Sequence, residues 1–546
     1  MDYKAFANLL FPNITESTES IEARYPARNL PEGAKVTRFA PSPTGFMHLG
    51  ALYGAMIDER LAHQSEGVFY LRIEDTDQKR EIPGGVELIV KTFSDYGLAI
   101  DEGETPTGEI GAYGPYRQRQ RAGLYQCFVK WLVEQGRAYP CFCTEEELAA
   151  IREKQAGLKE NFGYYGKYAL HRNLTMEEIT AKLAANIPFV VRYRSEGNSE
   201  NKVKVTDLVR GTIEFPENEQ DVVLLKSDGI PTYHFAHVVD DHLMRTTHVI
   251  RGEEWIATWP IHVQLFAAMG WRMPKYIHTA QLMKMEGSSK RKLSKRKDPE
   301  LALDFYSEQG YTVKALKEYL MTLLNSNFEE WRMANPAQPL ESFPYSIKKM
   351  GVSGALFDMD KLNDISKNIV AVMSAEEVFE NLLMWAKQYD KPFAEILGSD
   401  PEYSKAILSI GRGGNKPRKD ITVWSDAKEY MSFFFDELFA PEYTYPQNLT
   451  TEQVKNIISA YCESFTLASD SSAWFDGVKA LTESIGFAAN MKDYKKNPEN
   501  YGGHVGDVSM VLRVAVTGRQ NSPDLYEVMR LLGEEKVKER LGKAVL

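Results

Sequence analysis

Two short segments carry residue types that could handle a phosphate chain. The first is Pro41-Ser42-Pro43-Thr44-Gly45-Phe46-Met47-His48-Leu49-Gly50-Ala51. A phosphate wants exposed backbone N–H groups, the positive end of a helix dipole and no side chain in its way. Gly45 and Gly50 clear side chains from that turn, and His48 can donate to a phosphate oxygen. The second segment, far downstream, is Lys292-Leu293-Ser294-Lys295-Arg296. Two ammonium groups three residues apart, with a hydroxyl between them, suit the charge that develops on a triphosphate under in-line attack. Lysine is a mobile point charge, which suits a loop that closes over the reacting group. Taken singly, the first segment also reads as a strand–helix turn with a surface histidine. The second also reads as a solvated loop within the basic run Lys284, Lys290, Arg291, Lys292, Lys295, Arg296 and Lys297. The pairing carries the weight.

The elements that would position these segments read as α/β. Val36 to Phe39 predicts a strand, a Pro/Gly loop follows, and a helix is expected near Ala51 to His63 before a second strand at Val68 to Ile73. A strand–helix–strand unit implies a parallel sheet. Further buried strands are read at Val222–Leu225, Val238–Val239 and His248–Ile250, with a long stretch of mixed pattern before them that has the layout of an insertion. Beyond residue 300 the pattern turns helical. Ser374 with Glu377, and Thr450 with Gln453, form capping boxes ahead of the apolar stripes Val378, Leu382, Leu383 and Val454, Ile457, Ile458, Tyr461. Ser522-Pro523 opens what reads as the last helix, with Leu525, Val528, Met529 and Leu532 on one face.

Composition bounds the rest. The 546 residues exceed what one hydrophobic core organises, and 43% hydrophobic with 26% charged residues is ordinary for a globular protein. No apolar run approaches a membrane span, and the N-terminus carries no continuous apolar core of a secretory signal. Cys127, Cys141, Cys143 and Cys462 are too few and too uneven for a disulfide framework, which predicts a reducing, cytoplasmic setting. A net charge of −11 argues against a general nucleic-acid coat protein but leaves room for local basic stripes.

The two segments resemble the HIGH and KMSKS motifs of class I aminoacyl-tRNA synthetases, as His48-Leu49-Gly50-Ala51 and Lys292-Leu293-Ser294-Lys295-Arg296. Ala51 replaces the final histidine, a departure usual in the bacterial glutamyl members. The same family is matched by Arg38-Phe39-Ala40-Pro41-Ser42-Pro43-Thr44-Gly45, Leu71-Arg72-Ile73-Glu74-Asp75-Thr76-Asp77 and Gly114-Pro115-Tyr116-Arg117-Gln118. It is matched again by Asp228-Gly229-Ile230-Pro231-Thr232-Tyr233-His234, Val238-Val239-Asp240-Asp241-His242 and Ile250-Arg251-Gly252-Glu253-Glu254-Trp255. The chain thus resembles bacterial glutamyl-tRNA synthetases closely over residues 35–330 and more loosely beyond. Residues 1–34 read from their own pattern as a polar N-terminal extension with an amphipathic turn at Phe6, Leu9 and Leu10, and the resemblance implies behind them a Rossmann-like catalytic domain in two halves, 35–110 and 221–299. It also implies an inserted α/β domain at 111–220 for the tRNA acceptor end, a helical stem-contact domain at 300–370 and an all-α anticodon-binding region at 371–546. The implied activity joins L-glutamate to the terminal adenosine of tRNA(Glu) with ATP and Mg²⁺, with tRNA required before activation, in a cytoplasmic monomer that touches no membrane.

Charge counting adds the substrate. Glutamate presents two carboxylates and one ammonium, so its pocket needs two cations and one anion, and the matched segments supply Arg38, Arg251 and Glu74. By likeness to the family, Arg38 with Tyr233 would hold the side-chain carboxylate, Arg251 the α-carboxylate and Glu74 the α-ammonium. Glutamine would then leave Arg38 buried and unpaired. ATP would lie over Ser42, Thr44, His48 and Gly50, with Glu254 and Trp255 near the adenosine and Lys292 and Lys295 on the developing charge. A glutaminyl enzyme would instead carry a Pro-Glu-Pro-Asn-Gly loop and a β-barrel tail. A truncated paralogue would lack the tail, a HIGH-type nucleotidyltransferase would not need the Arg38/Glu74/Arg251 set, and a non-catalytic RNA-binding module would not need both phosphate segments.

Two weaker features remain. Cys141-Phe142-Cys143 resembles the first half of a zinc knuckle carried by some relatives, with His171 a third donor and Tyr168 where a cysteine often stands. Tetrahedral zinc needs four ligands, so buried structural cysteines are expected and no metal. In the tail, Lys416-Pro417-Arg418-Lys419-Asp420 is a basic loop, and the family likeness places Arg418 on the last anticodon base.

Overall fold

The computed structural model describes residues 2–294 and 296–544. It has two units, Met1–Leu303 with Leu320–Phe357, and Asp304–Tyr319 with Asp358–Leu546.

The first unit is built on a parallel sheet. Val36–Phe39 pairs in parallel with Val68–Leu71, which pairs in parallel with Glu102–Thr105. On the other side, His248–Gly252 runs beside Val36–Phe39, tied by Val36 N–H donating to Thr247 Oγ1 at 2.8 Å and Thr247 N–H donating to Val36 O at 2.9 Å. Lys275–Thr279 closes the row in parallel. The Val36 and His248 strands belong to two hydrogen-bonded sheets that lie side by side, so in chain order the five parallel strands lie 3-2-1-4-5, with the reversal at the seam between them. In such a doubly wound sheet the ligand crevice lies outside the carboxyl ends at that reversal. Arg38, Phe39, Ile250 and Arg251 are the residues delivered there.

One strand expectation fails, one strand lies in a sheet of its own, and one strand was not expected. Val238–Val239 lies inside the helix Tyr233–Leu243, not a strand. That helix buries Phe235, Ala236, Val238, Val239 and Leu243 together, and a short apolar run in a buried helix cannot be told from a buried strand by periodicity. The run at Val222–Leu225 does form a strand, Val223–Leu225, but in a separate antiparallel sheet with Val190–Tyr193 and Ala138–Cys141. The strand Lys275–Thr279 was not anticipated, because its Lys and His residues broke the apolar run.

The hairpin Lys202–Asp207 and Gly211–Pro216 reaches back to the main sheet, where Asp207 pairs in parallel with Tyr276. A second hairpin, Leu282–Glu286 and Ser289–Lys292, carries the basic run and pairs with Ala355–Leu356. The N-terminal residues are packed in, as helices Tyr3–Leu10 and Thr18–Arg24 with Phe6, Ala7 and Leu10 buried and Leu9 exposed. Arg28 clamps Glu102 with two bonds of 2.8 and 2.9 Å, and Glu22 accepts from His242 at 2.6 Å and Arg245 at 3.0 Å.

The second unit is helical, and no strand follows Leu356 among the described residues. Capping boxes open Ala375–Tyr389 at Ser374 and Thr451–Ser464 at Thr450, each satisfying two backbone donors that the first turn leaves unpaired. Their apolar faces (Val378 and Leu382, Val454, Ile457 and Ile458) meet Val511, Leu512, Val528 and Met529 in one core. Leu525–Leu532 is capped by Asp524 and is not the last helix; Glu534–Ala544 follows and buries Val537 and Leu541. Its charged composition hides the short apolar stripe.

Candidate active site

At the strand reversal lies a cavity of about 860 Å³. Its wall includes Arg38, Ser42, Thr44, His48, Gly50, Ala51, Glu74, Tyr233, Arg251, Glu254, Trp255, Lys292, Leu293 and Ser294, so residues from six separated segments converge on one space. Pro41, Pro43 and Gly45 do not line it. Pro41 O accepts from Glu74 N–H at 2.9 Å and Pro43 O from Ile82 N–H at 3.0 Å, so the loop is fixed through its carbonyls. Arg296 is exposed beyond the wall, and Lys295 lies outside the described residues.

His48 is the N-cap of the helix Leu49–His63. Its Nδ1 accepts from Ala51 N–H at 3.1 Å, which puts the ring N–H on Nε2, the form that can donate to a phosphate. A Cβ at Gly50 would stand 3.2 Å from the His48 ring, so glycine is what lets the cap close. In the basic loop, Arg291 forks onto Asp298 at 2.6 and 2.7 Å, Lys284 pairs with Glu300, and Ser294 N–H donates to Asp298 at 2.8 Å. Arg291 and Ser294 N–H together hold the Asp298 carboxyl well below the usual carboxylate range. Much of the basic run is thus neutralised internally, while Lys292 stands exposed at the strand end.

A buried ionic network supports the amino-acid end. Arg38 donates from Nε to Asp241 at 3.3 Å and from Nη1 to Ile250 O at 3.4 Å. Burial opposes its charge, and the Asp241 carboxylate more than reverses that. Arg72, fully buried, donates to Asp241 at 2.7 Å and to Glu74 at 3.2 Å. Burial pushes the Glu74 carboxyl upward, against the pull of Arg72 and Arg38. The neighbouring Asp240 accepts from Arg121 at 2.7 Å and Gln118 at 2.8 Å and from the Tyr125 hydroxyl. That gives a structural role to the Gly114–Gln118 segment. Arg38 therefore has a partner before any substrate arrives. The expectation that glutamine would leave it unpaired is corrected, because Asp241, in a quoted segment but given no role, lies within reach.

Arg251 is 9% exposed; its Nε donates to His278 Nε2 at 2.9 Å and its Nη1 meets His262 Nδ1 at 3.1 Å. Tyr233 opens its helix and lies against Trp255, ring centroids 4.6 Å apart and the planes tilted by 36°. Glu254 is exposed at the wall, where Gln281 donates to it at 3.4 Å. A hard cation such as Mg²⁺ takes oxygen ligands, and Glu254 and Asp77 are carboxylates on this wall that could serve. Sequence reasoning missed Asp207, Asp241, His262 and His278. The only available signal was the density of histidines between residues 234 and 278.

In the inserted region, donor atoms of Cys141, Cys143 and His171 lie within 4.8 Å of one another. The Tyr164 hydroxyl is 3.4 Å from both sulfurs, while the Tyr168 hydroxyl bonds to Glu160 instead. His171 Nδ1 already accepts from Phe142 N–H at 3.0 Å. In the tail, the Arg418 fork is engaged by Asp420 at 2.6 and 2.8 Å.

Comparison with known proteins agrees with this geometry. Residues 35–364 match the catalytic domain of class I tRNA synthetases (E and Q), and residues 415–545 match an anticodon binding domain. A glutamate–tRNA ligase of Acetivibrio thermocellus is 55% identical over 544 residues, covering 100% of both chains. One from Clostridium perfringens is 49% identical over 100% of this chain and 99% of its own. Among solved structures, the glutamate-tRNA synthetase of Elizabethkingia anophelis has a TM-score of 0.74 at 28% identity, covering 94% of this chain and 99% of its own. The glutamate tRNA ligase of Elizabethkingia meningosepticum, solved with its amino acid, has a TM-score of 0.72 at 27% identity over the same shares. With the cavity, the two phosphate segments and the helical tail in place, the chain belongs to the class I aminoacyl-tRNA synthetases and, among them, to the glutamate–tRNA ligases.

Proposed function

We propose that the cavity activates L-glutamate with ATP and then passes it to the terminal adenosine of tRNA(Glu). An oxygen of the α-carboxylate attacks the α-phosphorus, the bond to the β-phosphate breaks and pyrophosphate leaves. The terminal ribose 2′-hydroxyl then attacks the acyl carbon and AMP departs. His48, Ser42, Thr44 and Gly50 cradle the phosphates, Trp255 and Glu254 face the adenosine, and Lys292 with Lys295 stabilises the charge of the transition state. Mg²⁺, when bound, would neutralise the triphosphate, with Glu254 or Asp77 as protein ligands. Glu74 takes the α-ammonium, Arg251 the α-carboxylate, and Arg38 with Tyr233 the side-chain carboxylate. In this reading 111–220 receives the acceptor end, 300–370 the stem and 371–546 the anticodon, with Arg418 on its last base. The enzyme works as a cytoplasmic monomer.

The observation that carries this is the charge of the pocket. Arg38, Arg72, Arg121 and Arg251 are set against Asp240, Asp241 and Glu74, while burial pushes the Asp58 carboxyl toward its neutral form, so four buried cations meet three anions, an excess of one positive charge. Glutamate, with a net charge of minus one, cancels it; glutamine leaves it buried and uncompensated. Pyrophosphate exchange is the test. Exchange is expected with glutamate, ATP–Mg²⁺ and tRNA(Glu) together, and not when glutamine replaces glutamate. Equal exchange with both amino acids would overturn the charge argument.

A further inference from the structure

Arg251 has a built support that no step above uses. Asp207 Oδ2 accepts from His278 Nδ1–H at 2.8 Å, which leaves His278 Nε2 as an acceptor, and Arg251 Nε donates to it at 2.9 Å. Arg251 Nη1 donates to His262 Nδ1 at 3.1 Å, so the proton of that ring sits on Nε2, 3.0 Å from His234 Nδ1. His262 and His278 are fully buried, and burial holds both imidazoles below their ordinary range, in the neutral form an acceptor needs. Two of the three guanidinium nitrogens are therefore spoken for by neutral acceptors. The third, Nη2, is buried and has no hydrogen-bond partner among the described residues, while the side chain lines the cavity. A buried unpaired donor is costly, and a cationic one more so, unless a ligand completes it.

We propose that His278 and His262 are positioning residues for the amino-acid substrate: they hold Arg251 by Nε and Nη1 so that Nη2 is presented to the α-carboxylate. Neutral imidazoles suit this task better than carboxylates would, because they orient the guanidinium without consuming its charge. Asp207 acts one step further out by fixing the His278 tautomer. The inference rests on Arg251 being the α-carboxylate ligand.

The test is initial-rate aminoacylation with glutamate, ATP and tRNA(Glu). His278→Ala and His262→Ala should each raise KM for glutamate roughly ten-fold, the scale of a hydrogen bond to a charged group, with KM for ATP within about two-fold of native. Glutamine can accept through its carbonyl and donate through its amide, so His278→Gln and His262→Gln should recover most of the loss. Should alanine leave an unfolded protein, His278→Phe keeps the ring volume, lacks the acceptor and should show the same rise in KM. Equal rises in KM for ATP and glutamate, or glutamine variants no better than alanine, would make the histidines packing residues and overturn the proposal. Arg251→Ala separates the two layers. If it leaves KM for glutamate unchanged, the ligand role of Arg251 falls; if it raises that KM while the histidine variants do not, the positioning role alone falls.

Discussion

The tripeptide His-x-Gly occurs at the cavity as His48-Leu49-Gly50 and again in the helical tail as His504-Val505-Gly506. The two are built alike. His504 caps Val505–Thr517, its Nδ1 accepting from Gly506 N–H at 3.0 Å and Asp507 N–H at 3.3 Å, as His48 caps its own helix. At Gly506 an added Cβ would stand 2.9 Å from the histidine ring, the counterpart of the 3.2 Å contact at Gly50. Their surroundings differ. His48 lines an 860 Å³ cavity at the carboxyl end of a parallel sheet. His504 lies against the edge of Tyr494, centroids 5.0 Å apart, and its own N–H donates to Asp507 at 2.9 Å. The tripeptide therefore encodes a helix start, and chemistry comes from what the fold sets opposite it.

Substitution should pull the two apart. His48→Ala is expected to lower kcat by roughly 10²–10³, the scale of one lost preorganised donor, with KM for glutamate nearly unchanged. His504→Ala should leave kcat at saturating tRNA intact and cost only a cap, about 1 kcal/mol of stability. Parallel losses of kcat in both variants would erase the distinction.

Acid should separate the two units next. Nine of the ten histidines lie in the first unit and only His504 in the second. Burial lowers His234 and His248 to about 4. The unfolded chain then binds protons that the folded chain refuses, so this contribution is complete above about pH 6.5 and fades as pH falls toward 4. Each of these histidines should cost on the order of 1–2 kcal/mol between pH 7 and pH 5. Calorimetry across that interval should show the first unit's transition falling while the tail's holds. Two transitions that fall together would break the contrast.

The glycines give a finer cut. Alanine favours a helix over glycine by up to about 1 kcal/mol, close to the cost of a disturbed cap, so neither Gly50→Ala nor Gly506→Ala should move Tm much. Gly50→Ala should still lower kcat about ten-fold by displacing His48, a factor worth about 1.4 kcal/mol in the barrier. Gly506→Ala should not touch kcat, and a kcat effect there would sink the comparison.

The smallest effect concerns the contact proposed for Arg418 in the tail. Arg418 must release Asp420 before it can fork onto the edge of the last anticodon base, which places its value at the low end of a bidentate contact, about 1 kcal/mol. Arg418→Gln should shrink the kcat/KM ratio between glutamate and glutamine tRNAs by about five-fold, and an unchanged ratio would remove it from that role.

What the sequence made legible was local. The strand–turn–helix at Val36–His63 and the capping boxes at Ser374 and Thr450 all declare themselves within a few residues. What it concealed depends on pairing across the fold. Asp207 and His278 are ordinary residues in sequence and meet Arg251 through the parallel register of Lys275–Thr279, while His262 joins them from the helix Trp259–Met269. Asp241 hid inside the helix read as strand at Val238–Val239, and a single chain offers no way to see that it sits under Arg38. Tyr164 was passed over for Tyr168, because spacing cannot say which hydroxyl a loop turns inward.

The strand that ends at Asp207 belongs to a hairpin projecting from the middle of the chain, and that carboxylate is the far anchor of the guanidinium at the cavity floor. A ligand that favours one setting of the hairpin would therefore favour one setting of Arg251. Thermodynamic reciprocity then fixes the converse: whatever factor tRNA contributes to glutamate affinity by this route, glutamate must return to tRNA. The two substrates would sense each other through a carboxylate and an imidazole, without meeting.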